Sequence, residues 1–325
     1  MNRRIAVLGC GWSSYFLKDF IHGMMRAVEG KNIDIYLFNT YNYVEYSGFP
    51  NASGFSIFNL INYDDFDGIV ILSDLINNPR VLERERLRIL KSKKPAISIN
   101  KKMQGICCLR VDNYSGMYDA LAHVIKMHNV TDIAYLSGKE QSVDIAERYK
   151  AYMEVLKDNN IAFDKDKVYS IETCDYHCAY RFFDDYVKSG KKIPQAFCCA
   201  NDLLAMALLK VCMENKIKVP EQLKIVGFDN ILESHCTKPA LTTVKNCADL
   251  LATEVVTRLI RGVNPMQILN VKSTPIFRGS CGCSYSVTSE QNLFALNILD
   301  DSNKKEEFDT HLETLGEIFT EAADV

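Results

Sequence analysis

Two acidic turns occupy matching places in this chain. Ala196 to Cys199 is a short apolar run with Asn201-Asp202 where it should end, and Lys224 to Phe228 is a second run closed by Asp229-Asn230. Between them, Leu203 to Asn215 keeps apolar residues at helical spacing, and Lys216 to Glu221 reads as a loop marked by Pro220. Strands alternating with helices predict a parallel sheet, whose ligands bind outside the carboxyl ends of its strands. Asp202 and Asp229 are thereby placed at one sheet edge, an arrangement suited to binding. Tyr176 and His177 follow the strand Val168 to Ile171 and fall in a loop at the same edge. Asp229 could equally cap its turn, and His235 reads as an ordinary loop histidine.

Other chemistries are less well supported. A strand meets Gly9-x-Gly11, yet Ser14 holds the third glycine position of a dinucleotide fingerprint, and the second strand ends in Asn39-Thr40 with no acid for a ribose. The twelve cysteines include the adjacent pairs Cys107-Cys108 and Cys198-Cys199, whose side chains alternate across a strand and cannot easily share one ion. They are read as buried thiols that behave as small hydrophobes. Cys281-x-Cys283 could chelate or oxidise, but is read as a strand end packed beside Gly282. No complete phosphate loop, nucleophile elbow or metal-binding cluster of histidines and carboxylates is recognisable, so neither an enzyme, a cofactor nor a metal is expected.

The elements that position these residues form two βα series. The first runs strand Ile5 to Leu8, helix Leu17 to Glu29, strand Ile33 to Phe38, strand Asp67 to Leu72, helix Val81 to Lys91 and strand Ala96 to Ile99. After a crossing near Arg110 come helix Gly116 to Met127, strand Ile133 to Leu136, helix Asp144 to Asn159, strand Val168 to Ile171, helix Ala179 to Lys188 and the segment described above. Right-handed crossovers make each series a doubly wound α/β lobe. At 47% apolar and 24% charged, with a net charge of −3, the 325 residues suit a globular protein without a basic footprint for nucleic acid. Arg84, Arg86 and Arg88 alternate with glutamates and read as a solvated helix face. No apolar stretch approaches the ~20 residues of a membrane helix, and the apolar run before Gly9 is too short for a signal peptide. A cytoplasmic location is expected.

The segment NDLLAMALLKVCMENKIKVPEQLKIVGFDN, followed by KPALTTV at Lys238 to Val244, resembles the sensor domain of the lactose-repressor/galactose-repressor family, itself similar to type I periplasmic sugar-binding proteins. Val111 to Asn113, the strand IAYLSG, ERYKAY around Arg148 and IFRGSCGC at Ile276 to Cys283 fit the same pattern, so the resemblance covers residues 3–283. It implies two parallel-sheet lobes, 1–109 plus 244–274 and 112–240 plus 277–283, closing on a ligand. It also implies that Asp202 and Arg148 contact that ligand, and that the first loop faces the cleft with Trp12, Ser13 and Tyr15. On the residues alone, Arg148 could instead form a surface ion pair with Glu147 or Asp144. The family's glycine after NDxxA is Met206 here, a packing change.

The tail 284–325 carries Phe308, Leu312, Leu315, Phe319 and Ala322 at heptad spacing, read either as a signalling helix or as a surface helix folded back on the body. The family's repressors begin with a helix-turn-helix, whereas this sequence starts at the first strand, so operator binding in that manner is not expected. The leading expectation is therefore a sensor of a sugar or related small molecule. It would act as a homodimer and relay closure to an output module C-terminal to Val325, such as a diguanylate cyclase or histidine kinase. The alternative is the effector domain of a transcriptional regulator lacking its DNA-binding part, or a dimerisation module without ligand.

Overall fold

The computed structural model describes residues 2–11, 14–40, 52–139 and 142–283. Trp12, Ser13 and the heptad of the tail lie outside them. In chain order the elements are β1 (Arg3–Cys10), α1 (Tyr15–Val28), β2 (Ile33–Thr40), β3 (Gly68–Ile71), α2 (Pro79–Ser92), β4 (Ala96–Ile99), β5 (Cys107–Asp112) and α3 (Asn113–His128). They continue as β6 (Ile133–Gly138), α4 (Val143–Asp158), β7 (Val168–Ile171), α5 (Tyr176–Lys188), β8 (Ala196–Cys199), α6 (Asp202–Glu214) and β9 (Lys224–Val226). The last are β10 (Thr243–Lys245), α7 (Ala248–Arg261), β11 (Ile268–Lys272) and β12 (Thr274–Ile276).

Two parallel sheets result. One has the order β11-β5-β4-β3-β1-β2 and the other β7-β6-β8-β9, while β10 and β12 pair as a separate antiparallel ribbon. Successive side chains of β1 point to opposite faces. Ile5 and Val7 join a core with Phe20 of α1 and Val255 of α7, whereas Ala6 and Leu8 join another with Phe58 and Val81. Both faces being covered, the strand reads as a continuous apolar run rather than an alternating one. The second sheet is wrapped in the same way by α3 to α6.

Several expectations need correction. The stretch before the crossing near Arg110 is strand β5, which was not expected, and Asp112 at its end caps α3 by accepting the Ser115 N–H at 2.9 Å. The β11 strand lies beside β5 in parallel, so the first sheet is completed by residues far along the chain. Strand character in IFRGSCGC stops at Ile276, and a 3-10 turn, Gly279–Cys281, follows. On α2, Glu85 is fully buried between Arg84 and Arg88 and accepts the Tyr63 hydroxyl at 2.7 Å, so that face is only partly a solvated one. The adjacent cysteine pairs are buried, and burial pushes the Cys108 thiol up to about 11, as suits inert thiols.

Candidate functional site

The carboxyl ends of the second sheet meet around one arginine. Ser142 starts α4 by accepting the Ile145 N–H at 3.1 Å, which sets Arg148 on the inner face of the helix, 8% exposed. Its Nε donates to Asn113 Oδ1 at 2.9 Å and its Nη1 to the Ala200 carbonyl at 2.6 Å. The Nη2 lies 3.4 Å from Asp229 Oδ1, and the guanidinium sits 3.7 Å from the Phe228 ring centre. A fork held on three sides and stacked on an aromatic face is preorganised. Its carboxylate partner is thus Asp229, neither Glu147 nor Asp144. Glu147 pairs instead with Arg110, at the end of the first sheet.

Asp229 and Asn230 both adopt positive φ, 108° and 55°. The Asp229 N–H donates to the Val244 carbonyl at 2.8 Å and the Asn230 N–H to Thr243 Oγ1 at 3.3 Å, so β10 holds this turn in an uncommon conformation. The Asp229 side chain keeps 28% of its surface open, yet is packed among protein atoms elsewhere. Burial raises its carboxyl to about 6, against the lowering by Arg148 and with a further rise from Asp144. The folded protein therefore holds this proton where the unfolded chain has released it, and stability falls as pH rises from about 4 to about 6. Comparing native protein with Asp229→Asn by urea unfolding across that range should show the native protein losing ground; parallel curves would contradict it.

Asp202 is placed differently from Arg148. It opens α6, 1% exposed, behind Asn201, which caps the helix by accepting the Leu204 N–H at 2.9 Å. Asp202 Oδ2 accepts the Ile231 N–H at 3.0 Å and Oδ1 the Thr243 hydroxyl at 2.5 Å. Burial, and next the Asp229 carboxylate, push its proton affinity well up. It ties α6, the turn after β9 and the ribbon strand β10 together beneath Asp229. A Cβ on Gly227 would collide with Asp202 Oδ1. Gly227→Ala is expected to destabilise the fold by about 1–3 kcal/mol in urea unfolding.

From the first sheet, Tyr15 reaches across. Its hydroxyl donates to Glu233 Oε1 at 2.8 Å, and its ring packs against the core of the second sheet. Asp74, past the end of β3, accepts from Asn100 Nδ2 at 2.8 Å; crowding by protein and then the Asp144 carboxylate of α4 raise its carboxyl. Tyr176 lies in the first turn of α5, not in a loop, with its ring against those of His177 and Tyr180. Sequence reasoning missed the roles of Asn113 and Phe228, although both stand in segments it had singled out. It also missed Arg278, which is fully buried and donates to the Leu241 carbonyl at 2.8 Å and to Asn230 Oδ1 at 2.6 Å. His235 lies 3.0 Å from the same guanidinium, and burial followed by that charge lowers its pKa to about 4.

Two parallel α/β units that bring polar groups from both sheets toward one buried arginine define a fold of the type I periplasmic-binding-protein kind. Residues 122–281 match the family described as periplasmic binding protein-like domain. The chain is 24% identical over 257 residues to the NTD biosynthesis operon regulator NtdR of Bacillus subtilis (strain 168), covering 78% of this chain and 73% of NtdR. It is 27% identical over 168 residues to the HTH-type transcriptional regulator GalR of Escherichia coli (strain K12), covering 51% of this chain and 48% of GalR, about half that relative's length. A crystal structure of the LacI family transcriptional regulator CCPA of Weissella paramesenteroides, with bound sucrose, matches with a TM-score of 0.70 at 17% identity, covering 86% of this chain and 98% of that one. At that identity the likeness is one of fold. Among the described residues no helix is long and apolar enough to cross a membrane.

Proposed function

We propose that residues 1–283 are the effector-binding part of a transcriptional regulator, taking a small hydroxyl-rich molecule, a sugar or close relative, between two lobes. The observation that carries this is the preorganised fork of Arg148, held by Asn113, Ala200 and Asp229 at the carboxyl edge of the second sheet. Lobe boundaries at 1–109 plus 244–274 and 112–240 plus 277–283 suit the reading. The names of NtdR and GalR favour a transcriptional output over the diguanylate cyclase or histidine kinase first expected. Regulation by a homodimer in the cytoplasm, with DNA contact outside residues 1–283, belongs to the same proposal.

Arg148, Asp229 and Tyr15 are assigned to the ligand or to lobe closure, with Trp12 and Ser13 of the first loop as further contacts. Asp202 acts on the ligand chiefly by holding the Asp229 turn, and Tyr176 stands at the rim. Asp144 acts electrostatically on both Asp74 and Asp229, so acidic groups outnumber the Arg148 guanidinium around this edge, which favours neutral or cationic polyols over sugar acids.

A thermal-shift series with sucrose, ribose, other sugars, amino sugars, sugar acids and nucleosides tests this. A ligand at ~100 times its Kd adds about 2.7 kcal/mol of stability. A neutral or amino sugar that raises Tm supports the proposal. A panel without any hit, on protein shown by mass spectrometry to carry no metabolite, would replace it with the ligand-free dimerisation module. Tyr15→Phe removes a hydrogen bond between the lobes and is expected to lower stability by about 1 kcal/mol. It should also shift the small-angle scattering of unliganded protein toward a larger radius; an unchanged radius would remove Tyr15 from closure.

A further inference from the structure

His123 and His128 of α3 meet Cys281 and Cys283 at the end of the described chain. One ligand atom from each of the four lies within 4.8 Å of every other. His123 Nε2 is 3.1 Å and His128 Nε2 3.5 Å from Cys283 Sγ. A tetrahedral zinc ion with Zn–S near ~2.3 Å and Zn–N near ~2.0–2.1 Å needs edges of roughly 3.3–3.8 Å between its ligand atoms. The four side chains already approach that spacing. We propose that Cys281, Cys283, His123 and His128 form a binding site for one zinc-class divalent ion, separate from the effector cleft.

The surroundings suit a built site. Gly282 adopts φ 103°, and this left-handed turn brings the two flanking cysteines to the same point. The His123 ring stacks on Phe277 with 3.7 Å between ring centres, which fixes its orientation. Two thiolates balance the ion's double charge and leave a neutral centre, suited to this half-buried position. Binding releases the two thiol protons to solvent, and no redox change is involved. The site departs from the expectation that Cys281-x-Cys283 is plain packing. It would fasten the last described residues to α3, the helix whose first residue, Asn113, holds Arg148.

The test uses the full chain, reduced, stripped with chelator and titrated with zinc or cobalt(II). One ion per chain is expected, with the thiolate-to-cobalt charge-transfer band and intense visible absorption of a tetrahedral site. Cys283→Ser and His123→Gln should each weaken zinc binding by more than the about 10–100-fold that outer-shell changes cause, while Cys236→Ser leaves it unchanged. Circular dichroism of each variant separates loss of metal from loss of fold. If Cys281→Ser fails to fold, the Cys283 and His123 variants carry the test. Absence of stoichiometric binding, or binding that survives both substitutions together, would overturn the proposal. So would a cobalt spectrum without thiolate character. The outcome is independent of whether any sugar binds.

Discussion

Arg148→Ala is expected to abolish the ligand-induced rise in Tm and to weaken the affinity of whichever panel sugar binds by roughly 100-fold or more. A guanidinium that donates two bonds to ligand hydroxyls contributes about 3 kcal/mol or more, since charge-assisted bonds run to about 1.5–3 kcal/mol each. The substitution also removes the groups satisfying the Ala200 carbonyl and Asn113 Oδ1, and leaves Asp229 without its cation. A stability loss of about 3 kcal/mol in urea unfolding should accompany it. Arg148→Lys keeps the charge and loses the fork, so it should restore part of the stability and little of the affinity. A sugar that binds Arg148→Ala as well as the native protein would show that the fork serves the fold alone.

Arg278→Met is expected to have the largest effect on stability, a loss of about 3–5 kcal/mol, because several buried acceptors lose their donor at about 1–3 kcal/mol each. That is a large share of the about 5–15 kcal/mol by which proteins are stable. The acceptors are the Leu241 carbonyl, Asn230 Oδ1 and Ser234 Oγ at 3.3 Å, all in the segment from the Asp229 turn to β10. The urea midpoint reports the loss. The same variant should raise the pKa of His235, which lies below its ordinary value partly because of this charge. In the native protein His235 stays neutral when folded, while the unfolded chain takes up a proton below about 6.5. Its contribution is therefore lost as pH falls from about 6.5 to about 4, opposite in sign to that of Asp229. A midpoint within experimental error of the native one would mean that Arg278 does not hold the segment.

These two arginines show how far a sequence can be read. The apolar runs at Ile69 to Ile71 and Ala196 to Cys199, and the alternation of strands with helices, were legible because burial on both faces of a sheet leaves a local signature. The periplasmic-binding-protein fold was legible from segments resembling a known family. Arg148 could be singled out in the same way, but not its partner. Glu147 and Asp144 were the obvious carboxylates by proximity along the helix, whereas the ion pair forms with Asp229, brought in by β9 and held by β10. For Asp202, expected as a ligand contact, nothing in its own segment shows that Ile231 and Thr243 bond to its two carboxylate oxygens.

The sequence by itself determined most of the strands and helices, though not β5, α7 or β10 to β12, and which acidic turns close β8 and β9, since periodicity acts within a few residues. The tertiary structure alone decided which charges pair, which carboxylate is buried and which histidines meet Cys281 and Cys283. Those contacts join residues that are distant in sequence, and only the packing of α3, β10 and β12 around the second sheet brings them within bonding distance.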